Sequence, residues 1–182
     1  MSSNAWVLSQ NAELHLRGGV RARVTWPPAT PADRPPLLVF VPGRGEQADA
    51  DLCRELAIRI PAVVLAAAPG TFGAAREALE WGADHAAELG ADADQIVLAG
   101  DHRGATVVAA LARHARDRGW PAIAHVVLID PRAVLAAADA LAPLFRVAIR
   151  SSGSTREGTP PASGPAVRER VVGTARRRGA RR

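Results

Sequence analysis

Apolar positions along this chain come in two kinds of pattern. Continuous runs occupy Leu37-Leu38-Val39-Phe40-Val41, Ala62–Ala67 and Ile96–Ala99 within a predicted strand 95–99, and a similar run covers 125–130 (HVVLID). Unbroken runs of this length fit strands covered on both faces, the signature of a parallel sheet. Between them the pattern changes to helical spacing. Residues 49–59 place Leu52, Leu56 and Ile60 on one side, residues 74–89 form an alanine-rich stretch closed by Gly90, and residues 104–118 run to Gly119. Near the start, residues 12–26 alternate around Gly18-Gly19 and predict a hairpin. A proline-rich connector, residues 27–36, leads into the first buried run. After Pro131, a helix is expected over 133–141 and one more strand over 145–149. Strand and helix alternation of this kind predicts an α/β fold: a mostly parallel sheet with helices on both faces.

Composition changes this picture at one end. Residues 1–150 hold 15 Arg and 16 Asp or Glu, a balance of −1, whereas residues 151–182 hold 8 Arg and 2 Glu, a balance of +6. The net charge of +5 therefore sits in the last segment. That segment is rich in Gly, Pro, Ser, Thr and Arg, and a disordered basic tail is expected there. The division expected is a domain over 1–150 and a tail over 151–182. Clustered arginine in the tail admits contact with nucleic acid or an acidic membrane surface, while the body has no basic surface to suggest nucleic acid. A further reading takes the abrupt change after Arg150 as a decayed or shifted reading frame.

Other classes of function are narrowed by what the chain lacks. No apolar run is long enough to span a bilayer, and the N-terminal residues do not have the basic start and apolar core of a signal peptide. A cytoplasmic setting is expected. Cys53 is the single cysteine, so an intrachain disulfide and a paired-cysteine metal site are excluded; Cys53 reads as a small core residue. Neither a P-loop nor a dinucleotide fingerprint is present, and no cofactor or metal is expected.

The candidate chemistry centres on residues 96–105, IVLAGDHRGA. A short strand runs into Gly100-Asp101-His102-Arg103-Gly104 and then a helix, the layout of a nucleophile elbow, whose centre is ordinarily serine. Here the centre is His102. In a parallel sheet, ligands gather beyond the carboxyl ends of the strands, and a second loop, Pro42-Gly43-Arg44-Gly45, ends a strand at that same edge.

Together these residues resemble the α/β-hydrolase fold, specifically the carboxylesterases of the hormone-sensitive-lipase type. LLVFVPGRG resembles the strand that leads into the family's His-Gly-Gly-Gly motif, and DLCRELA its first helix. ALEWGADHAAELGADADQIVLAGDHRGA resembles the run into the Gly-Asp-Ser-Ala-Gly-Gly elbow, and RHARDRGWPAIAHVVLIDP the helix, loop and strand beyond it. The resemblance covers Pro36 to Pro131. It implies a serine at position 102, oxyanion donors in the loop at 42–45, and an acid and a histidine downstream.

This chain departs from the pattern at each of these points. His102 cannot form an acyl-serine. Arg44 replaces the middle glycine of the loop, so Gly43, Arg44 and Gly45, with Arg103 after the elbow, are read as a changed pocket better suited to an anion than to a neutral ester. No histidine follows His125; Asp130, at the end of a strand, is the candidate for a partner to His102. Gly100, Asp101 and Gly104 keep the elbow spacing. The expected function is a non-catalytic binding or interaction module on an esterase-like frame, a pseudoenzyme with a small-molecule ligand. The alternatives are a hydrolase of small esters, anionic ones among them, working through His102 with Asp101 or Asp130, and a truncated gene remnant. The family's last strands have no counterpart in the sequence, which leaves a sheet edge that a second copy could cover.

Overall fold

A computed structural model describes residues 10–28, 34–43, 46–67, 71–129 and 168–172, with main-chain placement only for 46–50 and 168–172. Its strands are β1 (Asn11–His15), β2 (Arg21–Thr25), β3 (Pro36–Val41), β4 (Val63–Ala67), β5 (Asp92–Asp101), β6 (His125–Ile129) and β7 (Arg168–Val172). Its helices are α1 (Glu46–Arg59), α2 (Phe72–His85) and α3 (His102–Arg118). All seven strands join in one sheet of order β1-β2-β4-β3-β5-β6-β7. The first two pairings are antiparallel and the other four are parallel.

The continuous apolar runs are strands because the sheet is covered on both sides. Successive residues of β3 face opposite layers: Leu37, Val39 and Val41 pack in one core, Leu38 and Phe40 in the other. The same alternation divides β4 and β5, with Leu65 and Leu98 on the first side and Val64 and Val97 on the second. Helices α2 and α3 cover the first face through Ala75, Ala78 and Leu79 and through Val108, Leu111 and Ala115. Helix α1 covers the second through Cys53, Leu56 and Ala57, so Cys53 is a core residue. Alanines on α2 let it lie close to the sheet. The hairpin is held by its register, which sets Glu13 opposite Arg23; the guanidinium donates to the carboxylate at 2.8 Å and holds the Glu13 carboxyl below its usual range.

Helix ends follow local chemistry. The Thr71 hydroxyl accepts from the Ala74 amide at 3.2 Å and caps α2 two residues earlier than the alanine pattern predicts. Gly119, at φ 70°, ends α3 in the left-handed conformation expected of a glycine at that position.

One expectation is corrected. The segment 151–182 reads as a tail without structure, yet Arg168–Val172 within it is strand β7, paired in parallel with β6 over five residues. The open edge of β6 offers unpaired amide and carbonyl groups, and that demand is met by main chain whatever the side chains are; composition does not report it. The helix expected over 133–141, the strand expected over 145–149 and the rest of the tail lie outside the described residues. Among the described residues, no helix is long and apolar enough to cross a membrane.

Candidate functional site

Strand β5 and helix α3 meet without a loop. β5 ends at Asp101 and α3 begins at His102, which stands at φ 47°, the one described non-glycine residue with a positive φ. For an L-residue the left-handed region costs roughly 1–2 kcal/mol, so the turn is held by its surroundings. Those surroundings are three glycines. A Cβ on Gly104 would lie 1.9 Å from the Val41 carbonyl oxygen, and one on Gly100 would lie 2.7 Å from the Gly104 main chain. A Cβ on Gly43 would lie 2.4 Å from the Asp101 carbonyl oxygen and 2.8 Å from the Arg103 nitrogen. Main chain therefore touches main chain at all three positions, and the end of β3, the start of the 42–45 loop and the elbow are locked together.

Asp101 completes that lock. Its side chain is fully buried. Oδ1 accepts from the Gly43 amide at 2.8 Å, and Oδ2 lies 3.3 Å from Nδ1 of His102, where an imidazole N–H donates to a carboxylate. The carboxyl makes no capping bond to the first turn of α3; it spends its oxygens on the loop and the imidazole instead. The His102 side chain is about one-third exposed, at 31%, so the ring is fixed from behind and reaches the surface in front. Arg103 is exposed on the first turn of α3.

Of the sequence-predicted residues, the structure brings together Gly43, Gly100, Asp101, His102, Arg103 and Gly104. Arg44, Gly45 and Asp130 lie outside the described residues. Asp130 directly follows Ile129, the register partner of Asp101. The Gly43 amide, expected among the anion-pocket donors, is directed at Asp101. Sequence reasoning missed Asp101 as the bridge between loop and elbow. The only signal was an acid beside the elbow centre, which reads equally well as a helix cap.

The other histidines belong to the scaffold. His125 opens β6 opposite Val97, four residues or about 13 Å along the strands from Asp101. His114 meets the Phe72 ring edge-on at 5.5 Å, and His85 stacks on Trp81 at 4.4 Å. His15 sits on the outer strand β1, four strand spacings from β5 or about 19 Å. Among the described residues, no group of three His, Cys, Asp or Glu side chains is placed to hold a metal ion.

Sequence and structure agree on the family. A family model for the alpha/beta hydrolase fold matches residues 39–157. The chain belongs to that family. It is 33% identical over 129 residues to Esterase LipI of Mycobacterium tuberculosis, a match covering 63% of this chain and 40% of that protein. It is 30% identical over 126 residues to Carboxylesterase NlhH of the same organism, covering 62% of this chain and 39% of that one. A solved esterase from the hyperthermophilic archaeon Pyrobaculum calidifontis superposes with a TM-score of 0.57 at 32% identity, over 67% of this chain and 44% of its own. The chain thus spans about two fifths of the length of the curated relatives it matches. Its fold is that of the esterase-type alpha/beta hydrolases, and within it His102 stands at the elbow centre.

The strain at that centre gives a first expected result. His102→Gly removes the Cβ that makes φ 47° costly, whereas His102→Ala keeps the Cβ; both lose the imidazole. The glycine variant is expected to be the more stable by about 1 kcal/mol, read as a higher urea midpoint at unchanged slope. Equal midpoints would show that the elbow relaxes out of the left-handed region when the ring is gone.

Proposed function

We propose that this alpha/beta-hydrolase chain does not carry out serine-ester hydrolysis and acts as a binding or interaction module, with a small-molecule ligand at the elbow. The observation that carries this is the imidazole at the elbow centre, tied by Nδ1 to a buried carboxylate. That centre is where the fold presents a nucleophile, and no hydroxyl stands there. Two further facts support the reading. The Gly43 amide is spent on Asp101, and the histidines of the described scaffold are at the far end of the strands, on helix faces or on the outer strand. A cytoplasmic setting is proposed with it.

Purified protein is expected to show no labelling by a fluorophosphonate probe and no turnover of short p-nitrophenyl esters above the rate of buffer alone. Labelling would place an activated hydroxyl in the chain and end the proposal.

A second reading is favoured by the Asp101–His102 contact itself. A carboxylate that accepts from Nδ1 fixes the orientation and tautomer of an imidazole, the relation that sets up a histidine base. On this reading His102 acts on small or anionic esters. Turnover of p-nitrophenyl esters or p-nitrophenyl phosphate that disappears in His102→Ala would establish it in place of the first.

A further inference from the structure

We infer that His102 is a phosphoryl-acceptor site: its Nε2 takes the phosphoryl group of a small activated donor, a phosphoramidate or an acyl phosphate, and keeps it as N-phosphohistidine. The inference shares the Asp101–His102 contact with the reading of His102 as a base, but it requires one covalent event per chain and no turnover.

The geometry selects the nitrogen. Oδ2 of Asp101 lies 3.3 Å from Nδ1 of His102, and a carboxylate there accepts from an Nδ1–H. In that tautomer the ring's in-plane lone pair is on Nε2. Asp101 is fully buried, whereas the His102 side chain is 31% exposed. The ring therefore turns Nδ1 inward and Nε2, on its opposite side, outward. The elbow maintains that direction: His102 stands at φ 47° between β5 and α3, beside the close main-chain approaches at Gly43, Gly100 and Gly104.

The surroundings suit the product. The Nε2 lone pair attacks phosphorus and forms the new N–P bond. The bond from phosphorus to the donor's nitrogen or oxygen breaks, and its electron pair leaves with ammonia or a carboxylate. The ring keeps its Nδ1–H and becomes an imidazolium, and the Asp101 carboxylate already faces that proton. The phosphoryl oxygens would lie at the start of α3, a helix of 17 residues, where negative charge is favoured. Asp101 makes no capping bond to the first turn, so its carboxylate does not compete with them for those amides. Arg103 is exposed on that turn and adds a cation. An acyl group, uncharged, would gain nothing from the helix terminus or from Arg103, which is why the site favours phosphoryl over acyl transfer.

Two scaffold histidines lack this combination. His85 also has Nδ1 fixed, but by the Trp81 carbonyl at 2.8 Å, which carries no charge to balance an imidazolium. His114 keeps its Nε2 buried. His15, exposed at the end of β1, is the natural comparator for an accessible imidazole.

The test is incubation of the full chain with potassium phosphoramidate, peptide mapping at alkaline pH, and phosphorus-31 spectroscopy to assign the nitrogen. His102 is expected to take label about tenfold faster than His15, since a hydrogen bond to a charged partner is worth about that factor in rate. The label is expected on Nε2. In Asp101→Asn the amide NH2 faces Nδ1 and moves the ring proton to Nε2. Labelling at position 102 is then expected to fall about tenfold or more, while labelling of His15 and the far-UV spectrum stay unchanged. Four results overturn the inference: no label on His102, a rate no faster than that of His15, attachment at Nδ1, or an unchanged rate in Asp101→Asn. Turnover of p-nitrophenyl phosphate through His102 without a phosphohistidine would leave the base reading standing and end this one. Label without turnover supports this inference and ends that reading.

Discussion

Gly104→Ala is expected to lower the stability of this protein by about 3 kcal/mol or more, the upper end of what overpacking costs. The new Cβ would stand 1.9 Å from the Val41 carbonyl oxygen and 2.9 Å from its carbon. Both are main-chain atoms at the end of a central strand, where Val41 pairs with Gly100 of β5, so neither can retreat as a flexible side chain would. Relief requires α3 to lift off the end of β3, which would uncover Val108 and Leu111 on its inner face. Gly73→Ala provides the control. Its Cβ meets nothing within 4 Å in the first turn of α2, and in a helix alanine is preferred to glycine by up to about 1 kcal/mol. Urea unfolding should therefore move the two midpoints in opposite directions. A Gly104→Ala protein with the wild-type midpoint would mean that the main chain at the elbow is much looser than its contacts imply.

Asp101→Ala is the second large effect, at about 2 kcal/mol of destabilisation. Two terms oppose each other. Deleting a buried carboxylate removes its desolvation cost, but it leaves the Gly43 amide without its acceptor, and a buried unsatisfied donor costs roughly 1–3 kcal/mol. The carboxyl is fully buried and its bond to Gly43 is 2.8 Å, so little water is at hand to replace it. Asp101→Asn separates the roles. Its amide oxygen still accepts from Gly43, while its NH2 faces Nδ1 of His102 and forces that nitrogen to accept. The asparagine protein should retain most of the stability lost in Asp101→Ala but show the opposite ring tautomer at His102 by nitrogen-15 spectroscopy. If alanine and asparagine are equally destabilising, the Gly43 bond is not what Asp101 contributes.

The sheet was legible because its strands are apolar on both faces, and no other element of this length has that pattern. The run Leu37 to Val41 is buried at every position, as its composition requires. The elbow was legible from two glycines four residues apart, between a strand and a helix. Boundaries were less so. β5 begins at Asp92, three residues before the predicted strand 95–99, because Asp92 pairs with Pro36 across a shift in register, a relation set by the partner strand. The bridge through Asp101 was hidden for a similar reason: its acceptor role is toward Gly43, 58 residues away, and nothing local distinguishes it from a capping acid. Strand β7 was hidden by its setting, since Arg168, Glu169 and Arg170 sit in a segment whose glycine, proline and serine content argues against any element. Its place is determined by an open neighbour, and the neighbour is visible only in three dimensions.

That late strand has a consequence for how the molecule assembles. Residues 130–167 separate β6 from β7. Bringing the ends of a chain that long together costs about 3 kcal/mol of closure entropy before any ladder bond forms. The hairpin and the β3-β4 and β5-β6 pairings close shorter segments. β7 is held through β6 alone, whereas the central strands pair on both sides. An edge strand tied by one ladder and joined through a long segment is expected to undock before the central strands do.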